Sequence, residues 1–540
     1  MAQKVLQDEQ EKDVVVVGAG FAGMYMLHRL RKMGYEVRVI EAGSGVGGTW
    51  YWNRYPGARC DVESLEYSYS FDEALQQEWE WTERYSGQPE ILKYANHVAD
   101  RFDLRKDISF NTRVLSAVFN ETTDKWVVES DSGESVTARF FVMATGCLSS
   151  TNTPDMDGIE DFRGEVVHTG QWPKEGVDLA GKRVGIIGTG SSAVQAIPVI
   201  ARECAELTVF QRTAQYTVPA RNEKLDPVRV RETKDRYKEF RDENFAMPAA
   251  LGANLPQSKE SVHEASAEDR ATSFESWWES GGTSFMRSYA DLILDESANV
   301  YAAEFVRSKI EDIVTDPETA RKLSPEHIIG CKRLVIDSGY YETFNRPNVH
   351  LVDVSEDNIE RVTSEGLKTV DNAYEVDVLI FATGFDAMTG SILKVDIRGR
   401  SNLSIRDKWS AGPRTYLGLS VPGFPNMFMV SGPGSPSVLT NMIVSIQQHV
   451  EWISDCIAWM DETAHKTIEA TVSAETDWVE HVNAIAHKTL FPSCNSWYLG
   501  ANVPGKTRVF MPLLGFPGYV RRCDKVASEN YDGFTLVANR

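Results

Sequence analysis

Gly18-Ala19-Gly20-Phe21-Ala22-Gly23 and Gly188-Thr189-Gly190-Ser191-Ser192-Ala193 are two glycine-rich turns on one chain. Each follows a short β-branched run and precedes an apolar helical stretch, the setting in which such a turn holds a pyrophosphate. In the first, Gly18 permits the tight turn and Gly20 lets the backbone approach the phosphates. Ala22 keeps the crowded position small, and Gly23 allows close helix packing. One such unit binds one dinucleotide. Two bring two dinucleotides together, as hydride transfer between a nicotinamide and a flavin requires.

The residues after each unit separate the two ligands. The strand Glu36–Ile40 ends in Glu41, placed to accept from a ribose 2′-OH; its charge disfavours a 2′-phosphate. The strand Leu207–Phe210 ends instead in Gln211-Arg212-Thr213, and a guanidinium beside a hydroxyl suits a 2′-phosphate. FAD is therefore expected on the first turn and NADP(H) on the second. Ser191 and Ser192 would donate to the pyrophosphate at a helix N-terminus.

The elements that must position these groups are legible. Asp13–Val17 and Lys182–Ile187 read as buried parallel strands. Helical spacing runs from Met24 to Met33, with Gly34 as terminator, and an apolar helix is expected over Val194–Ala201. Two further buried strands end in Ala144-Thr145-Gly146 and Ala382-Thr383-Gly384. The 540 residues exceed one ordinary core, so several domains are expected. A net charge of −22 argues against nucleic acid or an anionic membrane as partner. No run approaches the ~20 apolar residues of a membrane span. The start, Met1 to Asp13, is polar and lacks an apolar signal core, which points to a cytoplasmic protein. The seven cysteines are scattered and show no CxxC, a pattern expected of reduced thiols rather than a disulfide or zinc framework.

Two longer motifs narrow the chemistry. Phe162-Arg-Gly164-Glu-Val-Val-His168-Thr-Gly-Gln-Trp172-Pro173 fits FxGxxxHxxxWP in every fixed position. Gly47-Gly48-Thr49-Trp50 through Tyr55-Pro56-Gly57 to Asp61 fits [A/G]GxWxxxx[F/Y]P[G/M]xxxD. On these motifs the chain resembles the Baeyer–Villiger monooxygenases, flavoproteins that insert oxygen beside a ketone carbonyl. Heteroatom-oxidising flavin monooxygenases usually carry Tyr-Lys or Tyr-Arg in place of Trp172-Pro173. Within the family the chain is most similar to the phenylacetone and steroid monooxygenase branch, on Asn53–Asp61, Gly432–Leu439 with Asn441-Met442, and Ser496–Gly505. Cyclohexanone monooxygenases run Gly-Pro-Asn-Gly-Pro near Gly432. Leu513–Tyr519 departs from the family by an added proline and a missing Gly-Gly pair.

The resemblance implies that NADPH reduces FAD, that O2 adds at the flavin C4a carbon, and that the peroxyflavin attacks the ketone through a tetrahedral intermediate to give an ester or lactone. A nucleophilic peroxide needs a fixed cation that keeps its proton, and arginine meets that need. Arg333, in Cys331-Lys332-Arg333-Leu334, matches the family's active-site arginine, and Asp61 would hold its guanidinium. Lys332 would join Arg212 on the 2′-phosphate. Thr49, Trp50, Trp52 and Tyr67 match FAD-lining positions, and Arg59 one that reaches NADP. Trp497 matches a mobile-loop residue over the nicotinamide half of NADP. Met442 and Ser437-Val438-Leu439 match pocket positions near the flavin. His168 reads as part of an interdomain linker, not as an acid–base residue.

The expected fold is α/β: two Rossmann-like dinucleotide-binding domains with a helical insertion in the NADP domain. The FAD domain spans 1–150 and 381–540, the NADP domain 151–215 and 331–380, and the insertion 216–330. Within the insertion, helical spacing covers Pro227–Phe245 and Ser297–Val314. The expected partners are a ketone, hinted to be aryl or bulky, and O2, acting on a monomer. An N- or S-oxygenating flavin monooxygenase is the alternative, followed by an idle NADP-binding sensor. A flavin-disulfide reductase is disfavoured because no CxxxxC follows the first turn.

Overall fold

The computed structural model describes residues 10–255 and 257–538. The polar N-terminal run lies outside the described residues up to position 9. Two sheets carry the architecture. The first has eight strands. Its core is β1 (Gln10–Val17), whose Val14–Val17 are buried, flanked in parallel by β2 (Val37–Ile40) and β6 (Ser135–Met143). Beyond β2 lies β3 (Ile108–Ser109). On the other side, β4 (Val114–Asn120), β5 (Lys125–Ser130) and the start of β6 form an antiparallel ribbon. Two late segments complete this sheet: Asp396–Arg398 pairs with β4, and Met427–Met429 with the far half of β6.

The second sheet has five strands, all parallel. Its order is Val349–Asp353, β9 (Glu206–Gln211), β8 (Arg183–Ile187), Val378–Phe381 and β7 (Glu165–His168). β7 is the strand of the Phe162–Pro173 motif. Both sheets are thus built from early and late segments. Among the described residues, no helix is long and apolar enough to cross a membrane.

The two glycine turns are built alike. Gly18 N–H donates to Ile40 at the end of the neighbouring strand (2.8 Å), and Gly188 N–H to Phe210 (3.0 Å). Ala144 N–H donates to Val17 (2.9 Å), and Ala382 N–H to Ile187 (2.9 Å), so each Ala-Thr-Gly segment closes over one glycine turn. Gly18 and Gly188 sit at φ +102° and +110°, and a Cβ on either would lie 2.7 or 2.6 Å from the alanine carbonyl above it.

Between Pro219 and Val335 the chain is mainly helical, with helices Pro227–Asp235, Tyr237–Phe245, Ala267–Ser280, Glu296–Ile313 and Pro317–Leu323. The helix expected over Pro227–Phe245 is two helices, broken at Arg236 (φ −121°, ψ 30°). Residues on either side of the break dock on the N-terminal part of the chain. Lys234 Nζ donates to the Gln77 and Trp79 carbonyls (2.8 Å each), and the Tyr237 hydroxyl to the Leu65 carbonyl (2.7 Å). Both sides of the break are thus anchored on the segment 65–79.

Buried titrating groups couple this fold to pH. His449 is fully buried on the helix Met442–Glu462; Ser431 N–H donates to its Nδ1 (3.0 Å), and its Nε2 meets the Tyr519 hydroxyl at 2.9 Å. Burial pushes it down to about 3. His168, whose Nδ1 accepts from Gly170 N–H at 2.9 Å, is pushed down by burial to about 4. Burial pushes Glu66 the other way, up to about 7. The histidines contribute fully above their ordinary value of about 6.5, and that contribution is lost as pH falls toward the folded values. Glu66 contributes at low pH and loses its contribution as pH rises through about 7. From about pH 6.5 down to about 4.3, two histidines oppose one carboxyl, and unfolding takes up one net proton from the trio, about 1.4 kcal/mol per pH unit. Thermal melts across this range should therefore show His449→Gln with a shallower loss of stability on acidification than the parent protein. Parallel pH profiles would exclude the buried neutral histidine as a source of acid sensitivity.

Candidate active site

The helices after the glycine turns, Phe21–Lys32 and Ser191–Glu203, begin at Gly20 and Gly190 with no side-chain cap. Elsewhere Asp226, Ser266, Asp295 and Asn441 cap their helices. Two uncapped N-termini leave backbone N–H groups and the positive end of the helix dipole free for an anion. A Cβ on Gly190 would meet nothing within 4 Å, so the second turn opens onto space. At the first, Gly20 faces the backbone of Gly48, which sets the Gly47-Gly48-Thr49-Trp50 motif beside the turn.

Glu41 is buried, and its carboxylate accepts from Ala19 and Gly43 N–H, both at 2.6 Å. Burial raises it from the usual carboxylate range. The acid therefore braces the first turn, with lone pairs left for a ribose hydroxyl. Thr49, Trp50 and Trp52 form one short helix, Thr49–Trp52. Trp50 is buried and its Nε1 donates to the Tyr67 hydroxyl (3.0 Å). Trp52 is half-buried and packs edge-on to Tyr51.

At the second turn Thr189 Oγ1 donates to the Thr213 carbonyl (2.7 Å), tying the turn to the end of β9. Ser191, Arg212 and Thr213 are exposed, and Ser192 is half-buried. Burial and then the like charge of Arg212 hold the Lys332 ammonium below its usual range. Among the described residues neither cation has an ion-pair partner. Two facing cations without an anion beside a dinucleotide turn are suited to a phosphate monoester.

Arg333 and Asp61, 272 residues apart, form a two-point ion pair: Nε to Oδ2 at 2.6 Å and Nη2 to Oδ1 at 2.9 Å. Nη1 donates to the Val438 carbonyl at 2.5 Å. Burial opposes both charges. Arg333 overrides it to hold the Asp61 carboxyl below its ordinary range, and Asp61 and then the Tyr498 hydroxyl raise Arg333 above its own. The side chains stay 27% and 26% exposed, so this fixed cation faces open space.

Met442 begins the helix capped by Asn441, beside the turn Ser437–Leu439. Trp497 begins a short 3-10 turn, Trp497–Leu499, and packs on Tyr498. The Arg59 guanidinium is turned to Glu83 and the Tyr85 carbonyl.

Family comparison settles the lineage. Residues 15–269 match the family model described as pyridine nucleotide-disulphide oxidoreductase. A Baeyer-Villiger monooxygenase of Pseudooceanicola batsensis is 45% identical, covering 98% of this chain and 96% of that protein. The chain belongs to the Baeyer–Villiger monooxygenase family. A solved oxidised steroid monooxygenase bound to NADP is 50% identical with a TM-score of 0.93, covering 98% of this chain and all of the other. The phenazine N-monooxygenase of Lysobacter antibioticus is 43% identical over 98% of each chain.

Two features of this family member lie beyond the sequence reading. Gln195, on the helix after the second turn, accepts from the Tyr55 hydroxyl (2.8 Å) and Arg59 N–H (3.3 Å), and donates to the Arg59 carbonyl (3.1 Å). It locks the Tyr55–Asp61 motif to the second dinucleotide unit; a lone helical glutamine carries no signal of this. The expectation of seven reduced thiols is corrected as well. Cys331 and Cys494 are disulfide-bonded, with Cα atoms 6.0 Å apart, while Cys60, Cys147, Cys204, Cys456 and Cys523 are free and buried. The partners lie 163 residues apart, and only the fold brings them together.

Arg212→Ala or Lys332→Ala should raise the NADPH KM roughly ten- to a hundredfold, the loss of one charge-assisted contact, while FAD content and NADH use stay unchanged. Initial rates with both nucleotides test this. An unaltered preference for NADPH would remove the pair from 2′-phosphate recognition.

Proposed function

We propose that this protein inserts one atom of O2 beside the carbonyl of an aryl or bulky ketone, using NADPH and FAD, to yield an ester or lactone. The observation that carries the reading is Arg333, held by Asp61 at two points and by the Val438 carbonyl at a third. FAD reduced by NADPH supplies the oxygen-activating chemistry. The uncapped N-termini of the two helices that follow the glycine turns, and Arg212 and Lys332, without an ion-pair partner among the described residues, fit these two dinucleotides.

Each residue then has a task. Arg333 carries a charge that cannot quench a basic oxygen by giving up its proton, and it stabilises negative charge growing on the substrate oxygen. Asp61 fixes the guanidinium plane. Gly18, Gly20, Ala22, Gly23 and Glu41 receive FAD, with Thr49, Trp50, Trp52, Tyr67 and Met442 around its flavin end. Gly188, Thr189, Gly190, Ser191 and Ser192 receive the NADP pyrophosphate, and Arg212, Thr213 and Lys332 its 2′-phosphate. Arg59 contributes at the boundary once it leaves Glu83. Trp497 covers the nicotinamide half and excludes water. The domain division follows: FAD on 1–150 and 381–540, NADP on 151–215 and 331–380, with 216–330 inserted. A cytoplasmic monomer completes the proposal.

The aryl or bulky preference is supported by the Ser437-Val438-Leu439 turn and by a relative named for steroids. The phenazine N-monooxygenase favours a second reading, oxygenation of a heteroatom. Product analysis with NADPH, air and phenylacetone, cyclohexanone, progesterone or thioanisole separates them. Esters or lactones are expected; sulfoxide alone would favour the second reading. Arg333→Ala should keep its FAD and lose ester formation about a hundred- to a thousandfold. Ester at near parental rate would remove Arg333 from the mechanism.

A further inference from the structure

Cys331 stands two residues before Arg333, and Cys494 three residues before Trp497. Their bond joins the turn that carries the fixed cation to the segment that carries the covering tryptophan. The other anchors of that segment lead elsewhere. Asn502 Nδ2 donates to the Phe385 carbonyl (2.7 Å), Asn152 Nδ2 to the Asn502 carbonyl (2.8 Å), and Lys506 Nζ to the Ala387 carbonyl (3.0 Å), all on the Ala-Thr-Gly crossover side. Met511 N–H donates to the Tyr498 carbonyl (3.1 Å) within the segment's own return path. Toward the Cys331–Arg333 turn, the disulfide is the covalent restraint, beside the electrostatic contact of Tyr498 with Arg333.

We propose that Cys331 and Cys494 form a redox-active pair whose disulfide clamps the Trp497 segment over the active site and whose dithiol form releases it. The clamp rests on the proposed role of Trp497 in covering NADP. Hydrogen peroxide is the oxidant class. The Cys494 thiol, 7% exposed against 0% for Cys331, takes one oxygen to become a sulfenic acid and releases one water. The Cys331 sulfur then attacks it, a second water leaves and the S–S bond closes. A dithiol reductant returns two electrons and two protons to reopen it. The Ile328 carbonyl, 2.9 Å from Cys331 Sγ, then accepts from the freed thiol.

The test compares full-length holoenzyme treated with hydrogen peroxide or with dithiothreitol. After unfolding and maleimide labelling, mass should show five labels on the oxidised protein, matching the five free cysteines, and all seven on the reduced one. Reduction should speed NADP+ release about tenfold, below the full effect of a typical disulfide on chain freedom. It should also expose Lys506 and Arg508 to trypsin. Cys494→Ser should behave as reduced protein under both treatments, with its FAD retained. Seven labels after peroxide would overturn the pair, and equal NADP+ release and trypsin cleavage in both states would overturn the clamp. Trypsin protection that follows the redox state in an enzyme making no ester would sink the proposed reaction and leave the clamp standing.

Discussion

The ion pair between Arg333 and Asp61 is the contact on which the site depends. Its members come from segments 272 residues apart, and the third tie, the Val438 carbonyl, comes from a further segment. Asp61 ends a motif that packs beside the first dinucleotide turn; Arg333 lies just before the strand Val335–Asp337. The pair therefore ties the motif beside the first glycine turn to a segment 272 residues further along the chain. Partial burial strengthens the attraction, and the two-point geometry returns part of the desolvation penalty that burial imposes. A lone arginine there would leave an uncompensated charge. A lysine would bring a proton that it can lose.

Gln195 works in the same direction by neutral hydrogen bonds. It receives and returns contacts with Tyr55 and Arg59, so the motif that ends in Asp61 is registered against the helix of the second turn. Arg59 and Lys332 then border the same junction. The insertion reinforces it from outside: Asn441 N–H donates to the Ala249 carbonyl and Gly252 N–H to Glu66. Three parts of the chain thus converge on one junction without any of them holding it alone.

The two glycine turns show why repeated local patterns are readable. Strand, turn and helix are set by neighbours within about thirty residues, through β-branched burial, positive φ and the absence of a side-chain cap. Both turns, and the positions of Glu41 and Arg212 at the ends of the following strands, could be read directly. Helix ends were less legible. The stretch Pro227–Phe245 has helical spacing throughout, yet it breaks at Arg236, between Lys234 and Tyr237, which bond to carbonyls of the segment 65–79. Propensity acts along the helix, whereas docking acts across it.

Residue order alone determined the two glycine-turn units, the contrast in charge between Glu41 and Arg212 at their ends, and the family motifs from Gly47 to Asp61 and from Phe162 to Pro173. These are short-range patterns in which chemistry and backbone geometry constrain the same residues. The tertiary structure decided the rest: that Asp61 meets Arg333, that Gln195 locks one motif to the other unit, and that Cys331 bonds Cys494 across 163 residues. Such pairings depend on how two sheets and an insertion close on each other, and that closure is set by the summed burial of surfaces far apart in sequence.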